Sequence, residues 1–230
     1  MKILGIDTST AFLSIGVLDN SKIYEYNLEL NRRHSSLLAP NIKRVLDALG
    51  WKISDIDYFA CGLGPGSFTG VRIGLAAIKG LGWALKKPLV GVSTLDILAS
   101  NVKLTDTKNC AFVVPVLDAK RSLIYCSVYK NKKGSLERVA PYALVTLDEL
   151  CKKIKPNSTL LGDAISLYKE QILKNTKRAT LLEKDYWYPA GRNIVILAQE
   201  RIKKNKVGNA FNMKPVYLYP KECQIKNSNE

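Results

Sequence analysis

The chain has 230 residues, of which 47% are hydrophobic and 24% charged, a composition typical of a globular protein that can bury a sizeable core. It contains no run of about 18 uncharged apolar residues, which excludes a membrane-spanning helix of ordinary length. The first residues reach Asp7 before the hydrophobic region of a signal peptide could form. We therefore expect a cytoplasmic protein that makes no membrane contact.

The net charge of +15 is concentrated in the second half of the chain. Residues 1–100 contain 11 lysines and arginines against 8 aspartates and glutamates, and residues 101–230 contain 24 against 12. A positive field of this size favours a polyanion such as RNA, through counterion release. Most of the basic residues are lysines, however, and a compositional drift toward lysine produces the same total without a nucleic-acid site. The sequence leaves both explanations open.

The first hundred residues predict one α/β lobe. Two short strands are predicted at residues 2–7 and 12–18, and an alternating pattern predicts a third at 23–30, so that together they form an antiparallel meander. Apolar residues at helical spacing then predict a helix from His34 to Leu49, in which Pro40 leads us to expect a bend or a late start. The remaining segments alternate between strand and helix: a strand at 56–62, a helix ending near Leu85, a strand at 89–92 and a helix capped by Ser93.

The second half repeats the beginning of the first. After a polar crossing at residues 101–109, strands at 111–117 and 124–129 flank a turn, as the first two strands do. A short helix, a strand and an amphipathic helix follow, at residues 147–154, 159–162 and 193–204, and residues 206–220 are expected to be extended. We therefore predict two lobes that are degenerate duplicates, residues 1–102 and a smaller lobe of residues 103–220, with a disordered tail at 221–230.

Two segments have the composition of a phosphate-binding site. In actin-like, Hsp70-like and sugar-kinase-like ATPases, a tight turn between two strands offers N–H groups and hydroxyls to nucleotide phosphates. A glycine-rich loop at a helix amino terminus is likewise suited to anions. The alternative is structural: an Asx turn, with glycines that allow strand, loop and helix to pack closely. The candidates for a vestigial phosphate loop are Asp7, Thr8, Ser9, Gly64, Gly66 and Ser67.

The helix after this loop lacks an ordinary solvent face. Its charged residues are Arg72 and Lys79, and a helical wheel shows a broad small and apolar face made of Gly70, Ile73, Gly74, Ala76, Ala77, Gly80, Leu81 and Ala84. Such a helix is expected to be covered on both sides, by its own sheet and by either another protein or the second lobe. With the helix at 34–49 as its neighbour, the candidate interface residues are His34, Leu37, Leu38, Thr69, Arg72, Ile73, Ala76 and Gly80.

Six motifs, in order along nearly the whole chain, resemble the TsaB family, also called YeaZ. They are GIDTST, HSSLLAP, GLGPGSFTGVRIG, GVSTLDILA, LDAKRSLIY and KPVYLYP. The resemblance implies a two-lobed α/β fold of the actin-like ATPase (ASKHA, ribonuclease H-like) type with a reduced second lobe. It also implies a role in forming N6-threonylcarbamoyladenosine (t6A) at position 37 of tRNAs that read codons beginning with A.

The same resemblance implies a set of partners. TsaD, a larger paralogue, would form a heterodimer with this chain through the helices near 34–49 and 69–85, and the sequence leaves open whether the same helices form a homodimer when the chain is alone. The ATPase TsaE and tRNA would join the complex. The complex would use ATP, threonylcarbamoyl-adenylate and a metal held by TsaD, and none of these is expected to be bound by this chain. Lys120 and Arg121 in LDAKRSLIY are candidates for a direct tRNA contact.

The sequence predicts no catalytic or metal-binding residues. TsaD-like relatives hold their metal with two histidines of an HxxxH helix, whereas this chain has one histidine, His34, which we interpret as a surface or capping residue. The main alternative is an ATP-dependent small-molecule kinase of the same fold group, but Asp118 is followed by Ala119 where a second phosphate loop usually has glycine. A standalone RNA-binding module is disfavoured because the aromatic and basic pattern of such domains is missing.

Overall fold

The computed structural model describes residues 1–30, 33–104, 110–132, 135–176 and 179–220. Within these ranges the chain forms two β-sheets with helices packed on them, and the predicted two-lobed α/β architecture is confirmed. The tail at 221–230, for which we predicted disorder, lies outside the described residues, as does most of the polar crossing at 101–109. None of the helices built from the described residues is long and apolar enough to cross a bilayer.

The first sheet has the strand order β3-β2-β1-β4-β5. The antiparallel meander forms as predicted, and β4 and β5 add parallel to β1. The strands are β1 (Lys2–Asp7), β2 (Phe12–Asp19), β3 (Lys22–Glu29), β4 (Tyr58–Gly62) and β5 (Leu89–Val92). Between and after them lie the helices α1 (His34–Ala48), α2 (Phe68–Ala84) and α3 (Thr94–Ala99).

Side chains of this sheet alternate between two helical layers, as the two-residue period of a strand requires. Leu4 and Ile6 belong to the cluster that packs beneath α1 and α2. Ile3, one residue earlier, packs with α3 and with a helix from the end of the chain, α6 (Gly191–Lys203). Gly5 faces the same layer, where a Cβ atom would meet the side chain of Ile194. The sheet is therefore buried on both faces.

The main path of the second sheet repeats the strand order of the first, and two further strands form an arm beside it. Its central strand β6 pairs antiparallel with β7, and β7 with β10, while β11 and β12 add in parallel on the other side, as in the order of the first sheet. The strands are β6 (Phe112–Lys120), β7 (Leu123–Cys126), β8 (Tyr129–Lys132), β9 (Ser135–Arg138), β10 (Ala143–Val145), β11 (Ser158–Leu161) and β12 (Thr180–Leu181). The helices α4 (Leu147–Lys153) and α5 (Ile165–Asn175) occupy the positions that α1 and α2 have in the first lobe.

Two features tie the halves together. Helix α6 packs on β1, β2 and β3 although it comes from the second half of the chain, so the boundary at residues 102 and 103 stays a prediction based on sequence. The carboxylate of Asp96 in α3 accepts hydrogen bonds from Tyr129 (2.6 Å) and Tyr142 (2.8 Å) and forms an ion pair with Arg201 (3.4 Å). This buried network joins α3, the second sheet and α6.

Several local predictions were wrong. The strand predicted at 124–129 is divided between β7 and β8, which both pair with β6, and helix α5 was not predicted. Helix α1 begins at His34 and continues through Pro40, which is exposed, so water can satisfy the carbonyl that a proline leaves unbonded. Ser93 precedes α3, but its hydroxyl donates to the Gly64 carbonyl (3.2 Å) instead of capping the helix.

Candidate functional site

The carboxylate of Asp7 lies at the end of β1, where its hydrogen-bonding capacity is used inside the protein. Asp7 is 1% exposed and accepts hydrogen bonds from the Ser9 N–H (2.7 Å), the Ser9 hydroxyl (2.6 Å) and the Thr94 hydroxyl (2.8 Å). Burial raises the pKa of Asp7, and these hydrogen bonds and the nearby His34 offset part of the rise. In this conformation the carboxylate is closed off from a metal or a phosphate.

The glycines after β4 provide the space that the turn at residues 7–10 fills. A Cβ atom on Gly62 would overlap the Asp7 carboxylate, and one on Gly66 would overlap the backbone of Ser9. Gly70, in the first turn of α2, packs in the same way on the Thr8 carbonyl. These contacts are closer than any real Cβ makes, so glycine is required for close packing here.

Ser67 and Thr8 of the proposed phosphate loop also form internal hydrogen bonds. Ser67 caps α2 as predicted, since its hydroxyl accepts the Gly70 N–H (3.2 Å), and its own N–H donates to the Ser9 carbonyl (2.7 Å). The Thr8 hydroxyl donates to the Gly70 carbonyl (2.7 Å). Ser9, Gly66 and Ser67 still line the cleft between the lobes, whereas Asp7, Thr8 and Gly64 do not. The geometry accounts for these residues as the structural element that we had kept as the alternative.

The cleft itself has a volume of about 820 Å³. Its first wall comes from the turn at 9–11 and the start of α2, and its second wall from the β6–β7 turn at 117–121 with Asp163. The chain segment 216–219 closes one side, where the Tyr219 hydroxyl donates to the Ala119 carbonyl (2.8 Å) and the Val216 N–H donates to the Leu63 carbonyl (2.8 Å). This segment therefore connects the two walls.

The two basic residues proposed for tRNA contact lie at the rim of the cleft. Lys120, Arg121 and Ser122 all have positive φ angles (66°, 51° and 59°), a conformation that costs energy for residues other than glycine. Lys120 forms an ion pair with Asp118, whose N–H donates to Asp163 (2.8 Å). Burial and the nearby Asp118 raise the pKa of Asp163 to about 6. The acidic side chains thus offset part of the positive charge at this rim.

The outward face of α2 is apolar and small at its centre and aromatic at its ends. Thr69, Ala76 and Gly80 are exposed there, and a Cβ atom on Gly80 would meet nothing within 4 Å. Phe68 at the start of α2 is 41% exposed, and Trp83 near its end is 68% exposed. Across α2, every residue of which the structure describes, Arg72 is the one charged side chain that is fully exposed. We call this surface, Phe68, Thr69, Arg72, Ala76, Gly80 and Trp83, the α2 face.

The predicted interface residues on α1 lie on its inner side. Leu38 is 3% exposed, and Leu37 and Ile73 are half-buried in the core beneath the α2 face. His34 is 5% exposed and is neither a surface nor a capping residue, so that prediction was wrong. The reason is helical spacing: His34, Leu38 and Ile42 are four residues apart and share the buried stripe. The His34 Nε2 atom has no hydrogen-bond partner among the described residues.

A metal site of ordinary composition is also missing from the described ranges, where no three His, Cys, Asp or Glu side chains come together in a suitable group. The described cysteines, Cys61, Cys110, Cys126 and Cys151, are free thiols. Burial raises the pKa of Cys126 to about 11, so this thiol is protonated at neutral pH.

Comparison with known proteins decides the family. A family model described as TsaD, tRNA N6-adenosine threonylcarbamoyltransferase, matches residues 28–225. The tRNA threonylcarbamoyladenosine biosynthesis protein TsaB of Bacillus subtilis (strain 168) is 35% identical over 176 residues, which are 75% of this chain and 75% of that protein. The chain belongs to the TsaB family.

Further relatives extend the similarity over the whole chain. The TsaB protein of Escherichia coli (strain K12) is 26% identical over 223 residues, 95% of this chain and 94% of that protein. The solved structure of YeaZ from Pseudomonas aeruginosa superposes with a TM-score of 0.82 at 25% identity, covering 94% of this chain and 100% of that chain. The resemblance read from the motifs is confirmed, and so is the two-lobed α/β fold.

Sequence reasoning missed several residues of this region of the TsaB-family fold. Tyr217 and Tyr219 were seen only as letters of the KPVYLYP motif, although both line the cleft. Asp163 was not singled out, because nothing in its local sequence shows that β11 places it beside Asp118. Phe68 and Trp83 carry a signal that was available, since large aromatic residues at the ends of a helix with small residues between them are unusual.

Proposed function

We propose that the chain is a non-catalytic subunit for t6A formation at position 37 of tRNAs that read codons beginning with A, and that it acts by binding and activating TsaD. The observation that supports this proposal is the α2 face, a small and apolar helix surface that the chain's own second lobe does not cover. In an isolated soluble protein such a surface is costly to expose, and small residues at four-residue spacing allow a partner helix to approach closely. The cytoplasm is the location that this role implies.

The remainder of the molecule supports a binding role better than a catalytic one. Asp7 is buried and fully hydrogen-bonded, and the donors near it are used to hold the turn against α2. The sequence has one histidine, so a site of two histidines is not available in this chain. In this proposal TsaD supplies the catalytic metal, TsaE supplies ATP hydrolysis, and threonylcarbamoyl-adenylate is the donor that the complex uses.

The alternative function, an ATP-dependent small-molecule kinase, is favoured by one observation, the open cleft of about 820 Å³. A kinase would need donors that are free to bind phosphate and a carboxylate near the metal. In this conformation Asp7 does not line the cleft, and its carboxylate accepts three hydrogen bonds inside the protein. ATP hydrolysis by the purified chain alone, above background, would favour the kinase over the subunit.

The α2 face can be tested with one position and two substitutions. Gly80→Arg places a long charged side chain in the middle of the face, whereas Gly80→Ala adds a single methyl group. Neither change disturbs the chain's own packing, since a Cβ atom on Gly80 meets nothing within 4 Å. Both are expected to maintain or increase monomer stability, by up to about 1 kcal/mol, because glycine is a poor helix former.

The measurement is the dissociation constant for the cognate TsaD, together with t6A formation in a reaction reconstituted with TsaE and the donor. Gly80→Arg is expected to weaken binding at least about a hundredfold, since it buries an unpaired charge, and to abolish stimulation of t6A formation. Gly80→Ala is expected to retain both. Equal binding by Gly80→Arg and the wild type would remove the α2 face as the site of contact.

A further inference from the structure

Arg72 is held in a fixed position on the α2 face by two aromatic residues. Its guanidinium carbon lies 3.7 Å from the centroid of the Phe68 ring, and its Nε–H donates to the hydroxyl of Tyr217 (3.0 Å). The Phe68 and Tyr217 rings are 5.1 Å apart. An exposed arginine is ordinarily free to sample many rotamers, so the stacking and the hydrogen bond restrict it in advance of binding.

Within the described parts of the chain, the terminal nitrogens of Arg72 form no hydrogen bond, and no carboxylate lies within ion-pair distance of them. Arg72 contacts Phe68 and Tyr217 instead. Stacking and the Nε–H bond leave the outer edge of the guanidinium available. That edge matches the two oxygens of a carboxylate in a bidentate pair. The cluster of Phe68, Arg72 and Tyr217 is therefore a preformed receptor for an acidic side chain.

We infer that Arg72 is the anchor of the α2 face and pairs with an aspartate or glutamate of the docked TsaD subunit. This inference rests on the proposed function, and it adds the chemistry of the partner: a helix or loop with small residues opposite Ala76 and Gly80 and a carboxylate opposite Arg72. Arginine and tyrosine that are partly desolvated at the centre of an interface are typical of residues with the largest binding contributions.

Charge distribution separates this partner from a second copy of the chain. The exposed charged side chains of α1 near the face are Lys43, Arg44 and Asp47, and Asp47 is already paired with Lys43 (2.7 Å). A symmetric dimer joins the same patch of both subunits, and Asp47 is the one carboxylate that α1 and α2 contain. These helices of a second copy therefore offer Arg72 no unpaired carboxylate, whereas a different protein can.

The test uses three variants and one control, each titrated against the cognate TsaD at low and at physiological salt. Arg72→Ala is expected to weaken binding by about 10- to 100-fold and to reduce the salt dependence of Kd. Arg72→Lys keeps the charge but not the planar fork, and is expected to lose about tenfold. Tyr217→Phe keeps the ring but removes the acceptor of the Nε–H bond, and is expected to lose a few-fold. Lys152→Ala, on the exposed surface of α4, is the control and should bind like the wild type.

The outcomes separate this inference from the proposal on which it rests. If the wild type binds TsaD and Arg72→Ala binds equally well with the same salt dependence, the anchor is refuted and the docking face survives. If the wild type does not bind TsaD, the anchor and the proposed docking face are both refuted. If the chain alone sediments as a dimer that Arg72→Ala dissociates, the occupant of the face is a second copy, and the inference is overturned.

Discussion

Three glycines on α2 allow one chemical change to be tested in three environments. Gly70, Gly74 and Gly80 lie on the same helix, and Gly→Ala in a helix is ordinarily stabilising by about 1 kcal/mol because alanine loses less backbone entropy. A Cβ atom at Gly80 points into open space. At Gly74 it would overlap the Thr8 hydroxyl, and at Gly70 the Thr8 carbonyl oxygen. The structure therefore predicts opposite signs for the same substitution.

The magnitudes follow from what must move. Gly80→Ala is expected to stabilise the protein by about 1 kcal/mol, which raises Tm by about 2–4 °C in a chain of this size. At Gly74 a side chain must yield, so an overpacking cost of about 1–3 kcal/mol exceeds the helix gain. At Gly70 the backbone of the Asp7–Thr10 turn must yield, and Asp7 holds that turn through Ser9 and Thr94. Gly70→Ala is expected to cost about 3 kcal/mol or more.

Urea unfolding followed by circular dichroism measures the free energy of unfolding of each variant. The expected order of stability is Gly80→Ala, wild type, Gly74→Ala and Gly70→Ala. If Gly70→Ala stabilises the protein as Gly80→Ala does, the turn at residues 7–10 does not fill the space beside α2. The explanation of the glycine-rich loop as a packing element would then be wrong, and a phosphate-binding role for the loop would be favoured.

Two predictions concern the rim of the cleft. The pKa of Asp163 is raised from 3.8 to about 6, so between these pH values the folded protein retains a proton that the unfolded chain releases. The free energy of unfolding therefore falls as pH rises through this range, by on the order of 3 kcal/mol. Asp163→Asn should remove that part of the fall in urea unfolding between pH 4 and 7, and an identical fall in the variant would contradict it. Replacing Lys120 and Arg121 together with Glu should weaken tRNA binding by the assembled complex and flatten the dependence of log Kd on log salt by about two units. An unchanged slope of log Kd against log salt would indicate that the positive charge reflects the lysine-rich composition and not a tRNA contact.

The first sheet and α2 were predictable because local patterns there agree with the tertiary environment. β1 and β2 are short apolar segments separated by a turn of hydroxyl residues, β3 alternates, and α1 and α2 have helical spacing. Helix α5 was missed because its apolar pattern is weak: Ile165 and Ile172 are buried, whereas Leu167 and Leu173 are exposed. The duplication itself contained the signal, since a helix belongs between the fourth and fifth strands of each lobe.

The site was only partly predictable, for a different reason. A helical wheel places Ala76 and Gly80 of the α2 face together with Gly70 and Gly74, which prove to be buried. It cannot show which arc faces the sheet, and the buried arc of α2 proves to contain Val71, Leu75 and Ile78. The contact between Arg72 and Tyr217 joins residues 145 positions apart, and no local pattern encodes it.

The duplicated topology supplies an internal control for the functional argument. Helices α2 and α5 follow equivalent strands and pack against equivalent helices, α1 and α4. The outward face of α5 includes Lys169, Glu170 and Lys174, as expected of a helix in contact with water. The same position in the first lobe has Ala76, Gly80 and Trp83 exposed. Because the fold accepts a charged surface at this position, its loss on α2 is not a requirement of folding, which supports the proposal that the α2 face contacts another protein.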